Sequence, residues 1–244
     1  MAYRNDKDLQ FMNNCTSEDL GILVAILTAD KDGDARLTEE LTTNDRYKEF
    51  SPDHHKYWDL IAAELQCFGA NSFMTMFRGG EGVLYKEVLT DACDKMKVNY
   101  NSNASVEAIE MNLLMKVLTD SMENMTPDQL RDISEELNLK TTDFSKQAVI
   151  AALQTGVRFS GFAAYQVALI IANSVAKAVV GRGLTFAANA GLTRSLSILA
   201  GPVGWALTAL WTIFDISGPA FRVTLPCVIQ VAFLRQKMKY QQAQ

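Results

Sequence analysis

Residues 159–176 read FSGFAAYQVALIIANSVA, eighteen positions without a charge. Within them Ala164, Ala168, Ala172 and Ala176 recur at every fourth position. That spacing lays small side chains along one ridge of an α-helix. A small-residue ridge lets a second helix backbone approach closely, in lipid or in a tight protein bundle. Gly183, Ala187 and Gly191 repeat the spacing in the next segment. A second uncharged run, SLSILAGPVGWALTALWTIF, covers residues 195–214. At 1.5 Å per residue the runs reach roughly 27 and 30 Å if helical, about the hydrocarbon thickness of a bilayer. Gly201-Pro202 splits the second run, because proline cannot continue a helix interior. Pro202 suits the first position of a new helix over 202–214, too short to cross a membrane alone. Trp205 and Trp211 fit interfacial anchors or core positions equally well.

The charge pattern divides the chain at the same place. Residues 1–150 hold 15 Lys+Arg and 27 Asp+Glu, a net of −12, whereas residues 151–244 hold 8 Lys+Arg and one acid, a net of +7. Such asymmetry points to nucleic acid, a membrane surface or the acidic half itself as partner of the basic half. Nucleic acid fits least, since the cations are scattered among apolar runs and form no dense patch with interleaved aromatics. We therefore expect two parts, an acidic helical domain over 1–150 and an apolar, basic helical region over 151–244. Arg235, Lys237 and Lys239 close the last helix, which suits both its dipole and anionic lipid.

The front half also reads as helices. Thr16-Ser17-Glu18-Asp19 starts one, with Leu20, Leu23, Val24 and Leu27 on one face. Pro52-Asp53 starts the next, in which Trp58, Ile61, Ala62 and Leu65 share a face. Helices are expected over 83–97 and 105–122. Thr126-Pro127-Asp128-Gln129 combines an N-cap, a first-turn proline and a capping-box glutamine. Thr142-Asp143 opens a further helix. A turn at Asp215–Pro219 and then the stretch Arg222–Pro226 precede a last helix carrying Val228, Ile229, Ala232 and Phe233.

Little chemistry has a motif to stand on. Asp30, Asp32 and Asp34 suggest a calcium loop, but Gly33 falls at loop position 4, Ala35 at position 6, and Leu41 where the bidentate Glu belongs. His54 and His55 are adjacent, so they face different sides of a helix and cannot pair as metal ligands. No GxxxxGK[ST], GxGxxG or GxSxG occurs. The four cysteines form no CxxC and read as reduced, buried small side chains. The N-terminus has no apolar core of a secretory leader, so a cytoplasmic location is expected, with the inner membrane as the surface the rear half would meet.

Two stretches carry a resemblance. Trp58-Asp-Leu-Ile-Ala-Ala-Glu64-Leu-Gln66-Cys-Phe68-Gly69, then Arg78-Gly79 and Gly82-Val-Leu84-Tyr85, resemble a motif of the YaaW-like bacterial proteins. Gly201-Pro-Val-Gly204 and Ser217 through Arg222, Pro226, Gln230 and Arg235 continue it. That family carries a domain related to the ubiquinol–cytochrome c chaperone. The resemblance implies an all-α intracellular bacterial protein without assigned catalytic residues. It makes Trp58, Glu64, Gln66, Arg78, Tyr85, Arg222, Pro226, Gln230 and Arg235 candidate interaction or structural positions, with Glu64 and Arg78 as a buried pair.

The expectation is thus an all-α, multi-helix bundle with an apolar C-terminal hairpin region, without cofactor or metal. The expected function is non-enzymatic. Either the rear half meets or enters a membrane, as an oligomeric pore or membrane-disrupting effector, or the protein is a soluble assembly chaperone binding an apolar client helix. Ala164, Ala168, Ala172, Ala176, Trp205 and Trp211 are the candidate membrane or client contacts. Membrane lipid or an apolar protein segment is the expected partner, with a second copy of the chain as a further one.

Overall fold

The computed structural model describes residues 2–29, 36, 39–69, 82–181 and 221–243. Among them lie nine α-helices and no β-strand, so the protein is all-α. In chain order these are α1 (Ser17–Thr28), α2 (Asp45–Phe50), α3 (Trp58–Gly69), α4 (Tyr85–Lys95), α5 (Val106–Ser121), α6 (Pro127–Glu136), α7 (Lys146–Phe159), α8 (Gly161–Val180) and α9 (Phe221–Gln242). The calcium-like loop at Asp30–Asp34, Arg78, the Gly183–Gly191 ridge, and the 195–214 run with Pro202, Trp205 and Trp211 lie outside the described residues.

Local sequence places most helix starts. Thr16 caps α1 in a capping box with Asp19, each satisfying the other's backbone N–H. Thr126 and Gln129 do the same for α6, with Pro127 in its first turn. Removing the Thr126 hydroxyl should cost about 1 kcal/mol, the usual worth of such a cap. Urea denaturation of Thr126→Ala measures it, and an unchanged midpoint would mean the cap contributes nothing to global stability.

Three starts differ from the sequence reading. The α-helix expected from Pro52-Asp53 begins at Trp58, after a 3-10 turn over His54–Tyr57. Asp53 does not cap; its carboxylate accepts the Ser17 hydroxyl at 2.6 Å instead. Thr142-Asp143 forms a tight turn, and Ser145 caps α7. The last helix, expected to follow Pro226, already includes Arg222–Pro226, and the turn expected at Asp215–Pro219 lies outside the described residues. Pro226 offers no N–H to the carbonyl of Arg222. Its ring is buried, so packing offsets the lost bond.

The apolar run divides between two helices. Phe159 ends α7, Ser160 separates, and α8 takes residues 161–180. Gly181 closes α8 at φ 73, a left-handed position that glycine adopts without penalty. Residues 163–176 of α8 are buried. Its most extensive partner is α9, and α1 and α5 also cover it. Helix α9 in turn packs on α1, α3, α4 and α5. Residues from before and after position 150 therefore share one apolar core. The charge divide is not a packing divide.

Candidate functional site

Several buried polar groups gather where α9 crosses the front of the chain. Glu110 stands on α5 among inward-facing Ile109, Leu113, Leu114 and Val117, and its side chain is 1% exposed. Arg235 of α9 reaches it, donating from Nε to Oε2 at 2.9 Å. The same guanidinium donates from Nη2 to the carbonyl of Asp8 at 2.6 Å. Its face lies 4.4 Å from the Phe11 ring centroid and 5.9 Å from that of Tyr85. Tyr85, at the start of α4, donates its hydroxyl to the other Glu110 oxygen at 2.7 Å. Burial pushes the Glu110 carboxyl above its ordinary range, and Arg235 and Tyr85 pull it back. Burial, with Glu110 alongside, holds the Tyr85 phenol well above 10. Planar Arg, unlike Lys, can stack and form several directed bonds at once.

A second layer ties down the N-terminal segment. Gln66 of α3 donates to the carbonyl of Arg4 at 2.9 Å and accepts the N–H of Arg4 at 3.0 Å. Asp6 accepts the backbone N–H of Tyr85 at 2.6 Å and, through its other oxygen, that of Asp8 at 2.9 Å. The Val83 N–H meets the carbonyl of Gln66 at 3.2 Å. Here Gly82 lies so close that a Cβ would sit 2.4 Å from the Gln66 carbonyl carbon and 2.6 Å from its oxygen. Gly82→Ala should therefore destabilise by about 1–3 kcal/mol or more, since backbone rather than a flexible side chain must yield. A melting temperature equal to wild type would refute the close approach.

Toward the outer end of α9, Lys237 pairs with Asp19 and Lys239 with Glu107 at 2.8 Å. Three basic groups of the rear half thus meet acids of the front half. Of the three partners that the charge asymmetry left open, the acidic half itself takes these cations.

The remaining predicted positions fall as follows. Gln230 is buried and donates to the carbonyl of Ala172 at 2.7 Å, fixing α9 on α8 at the alanine ridge. Ala164, Ala168, Ala172 and Ala176 are all buried, so the ridge is covered inside the protein. Trp58 is half-buried, with Tyr3 at its ring edge 5.4 Å away. Arg222 is exposed in the first turn of α9. Glu64 is buried, accepts the Glu40 N–H at 3.2 Å and faces Glu39 and Glu40. Burial raises its carboxyl to about 7, and the two neighbouring acids add to the rise.

Sequence reading missed Arg4, Asp6, Asp8 and Glu110. Glu110 left a signal, being an acid in register with an apolar helix face, where an unpaired charge is costly. Arg4, Asp6 and Asp8 left none, because their partners are distant in sequence.

The arrangement braces α9 and the N-terminal segment against the front helices. Burial raises the thiols of Cys15 and Cys93 to about 12 and that of Cys67 to about 11, and Cys227 rises further. Such thiols are poor nucleophiles. Among the described residues no group of three His, Cys, Asp or Glu is placed to hold a metal ion. A cleft of about 90 Å³ between α3, α4 and α9, lined by residues including Phe68, Asp91, Lys95 and Phe221, is small beside ordinary ligand pockets.

Comparison with known proteins gives this architecture a class. Residues 53–229 match the family described as Ubiquinol-cytochrome C chaperone, and residues 3–37 match a domain of unknown function, DUF3944. The protein is therefore helical and chaperone-like. A UPF0174 protein of Helicobacter pylori J99 is 49% identical over 244 residues, covering 100% of this chain and 95% of its own length. UPF0174 protein YaaW of Escherichia coli K12 is 32% identical over 241 residues, covering 96% of this chain and 95% of its own. The chain belongs to this YaaW-like UPF0174 family and carries its chaperone-related domain. No solved structure matches. The two matched regions meet at the network above: Asp6 and Asp8 come from the first, and Gln66, Tyr85 and Glu110 from the second.

Proposed function

We propose that the protein is a non-enzymatic assembly adaptor that holds an apolar helix of a client protein. The observation that carries this reading is the match of residues 53–229 to a family described as a chaperone. The braced, all-α body supports it, since Glu110, Tyr85 and Arg235 satisfy one another inside it. The apolar rear half supplies the client-facing chemistry, and α9 must shift before a client could reach the alanine ridge. The test is a holdase assay on the purified full-length chain with an aggregation-prone single-helix peptide. Suppressed light scattering near equimolar ratio is expected. Unchanged aggregation at large excess of the protein would end the reading.

A second reading is entry of the rear half into a membrane, as an oligomeric assembly. It is favoured by α8, which at 20 residues is long and apolar enough to cross, although most of it is buried. Core helices meet the same criterion. Resistance of vesicle-bound protein to alkaline carbonate extraction would support insertion, and complete extraction would exclude it.

A further inference from the structure

The corner between α7 and α8 is unlike the rest of the described surface. Phe159 is 80% exposed and Phe162 38%, and they are the exposed large hydrophobic residues among those described. The corner is built by one residue. Ser160 ends α7 through its N–H to the Gly156 carbonyl at 2.9 Å. It also starts α8, its hydroxyl accepting the Ala163 N–H at 3.2 Å. Its extended backbone turns the chain between the helices, and a Cβ placed on the neighbouring Gly161 would meet nothing within 4 Å. The phenylalanines thus stand on an open, projecting turn.

Their base is firm. The Phe162 ring rests 5.3 Å from that of Tyr240, which stacks on Tyr165 at 5.0 Å with planes 4° apart. Charge singles out the same spot. The exposed Arg158 guanidinium lies 5.8 Å from the Phe159 ring. No Asp or Glu occurs in the sequence from residue 144 to 214, so α7 and α8 carry no carboxylate. The first 150 residues carry a net of −12.

We propose that this corner is a peripheral docking point for an anionic membrane. Phe159 and Phe162 enter the headgroup–acyl boundary, Arg158 meets lipid phosphate, and the helical body stays folded. An apolar client helix needs a groove, whereas a projecting aromatic turn fits a fluid interface, where such side chains sink roughly 5–10 Å. The acidic front is repelled by anionic lipid, whereas α7 and α8 present no carboxylate of their own to it. The inference stands apart from the client reading and needs no insertion of α8.

The test is co-sedimentation of the full-length chain with phosphatidylcholine vesicles, with and without phosphatidylglycerol. Binding is expected to the anionic vesicles and to weaken as salt rises. Phe159→Ser and Phe162→Ser should each lower partitioning roughly tenfold. Arg158→Gln should lower it about fivefold, on anionic vesicles alone. Unchanged helical circular dichroism would show that the variants fold. Wild type that stays in the supernatant overturns the proposal, as does full binding by the double serine variant. Carbonate-resistant binding overturns surface docking in favour of insertion. Self-association in analytical ultracentrifugation that the double variant abolishes, without vesicle binding, overturns it in favour of a second copy.

Discussion

Replacing Arg235 by Met is expected to destabilise the protein by about 3–5 kcal/mol at neutral pH, the usual cost of stranding one member of a buried ion pair. The loss follows from what remains. Glu110, 1% exposed, would keep only the Tyr85 hydroxyl, and the Asp8 carbonyl would lose its guanidinium donor. Neutralising Glu110 should relieve part of this. The gap between wild type and variant should therefore narrow as pH falls and the stranded carboxyl takes up a proton. Arg235→Met combined with Glu110→Leu should recover much of the deficit, since apolar replacement of a whole buried pair is often neutral. Denaturant titrations at two pH values measure all three. A single variant as stable as wild type at pH 7 would show that the pair does not hold α9 on the body.

Glu64→Gln is expected to do the opposite and stabilise the protein at alkaline pH. The wild-type carboxyl rises from 4.5 to about 7 on burial, so between those values the folded chain binds a proton that the unfolded chain has released. Folding stability then falls as pH rises through this window, and the full cost is present above it. At 1.36 kcal/mol per unit the difference is about 3 kcal/mol. Glutamine keeps an acceptor for the Glu40 N–H and never ionises. The variant should match wild type near pH 4 and exceed it near pH 8. If instead Glu64→Gln is the weaker protein at pH 8, the carboxylate is ionised against a cation, as the expected pairing with Arg78 requires.

These two positions show how far the sequence could be read. Gln66, Tyr85, Gln230 and Arg235 stood out as motif positions, and each is a buried residue that makes a polar contact. Their partners did not stand out, because Gln66 meets Arg4 across 62 residues and Arg235 meets Asp8 across 227. Local rules worked where the physics is local. Thr126-Pro127-Asp128-Gln129 starts a helix because its bonds close within one turn. Pro226 was misread for the same reason, since a local rule cannot weigh the burial that keeps α9 continuous. The alanine ridge was legible as a close-packing surface, but composition does not say what packs on it. Phe159 and Phe162 lay in the same apolar run as buried Val167 and Leu169, and composition does not say that the corner at Ser160 leaves these two at the surface.

Arg235 closing on the carbonyl of Asp8 also has a consequence for biosynthesis. During translation the first residues leave the ribosome long before the guanidinium that fixes them has been made. Until then Glu110 and the carbonyl of Asp8 wait without that donor, and the faces of α1, α3, α4 and α5 that α9 will cover stay uncovered. Folding of this chain can finish only once α9 has emerged and is drawn onto the acidic segments already synthesised.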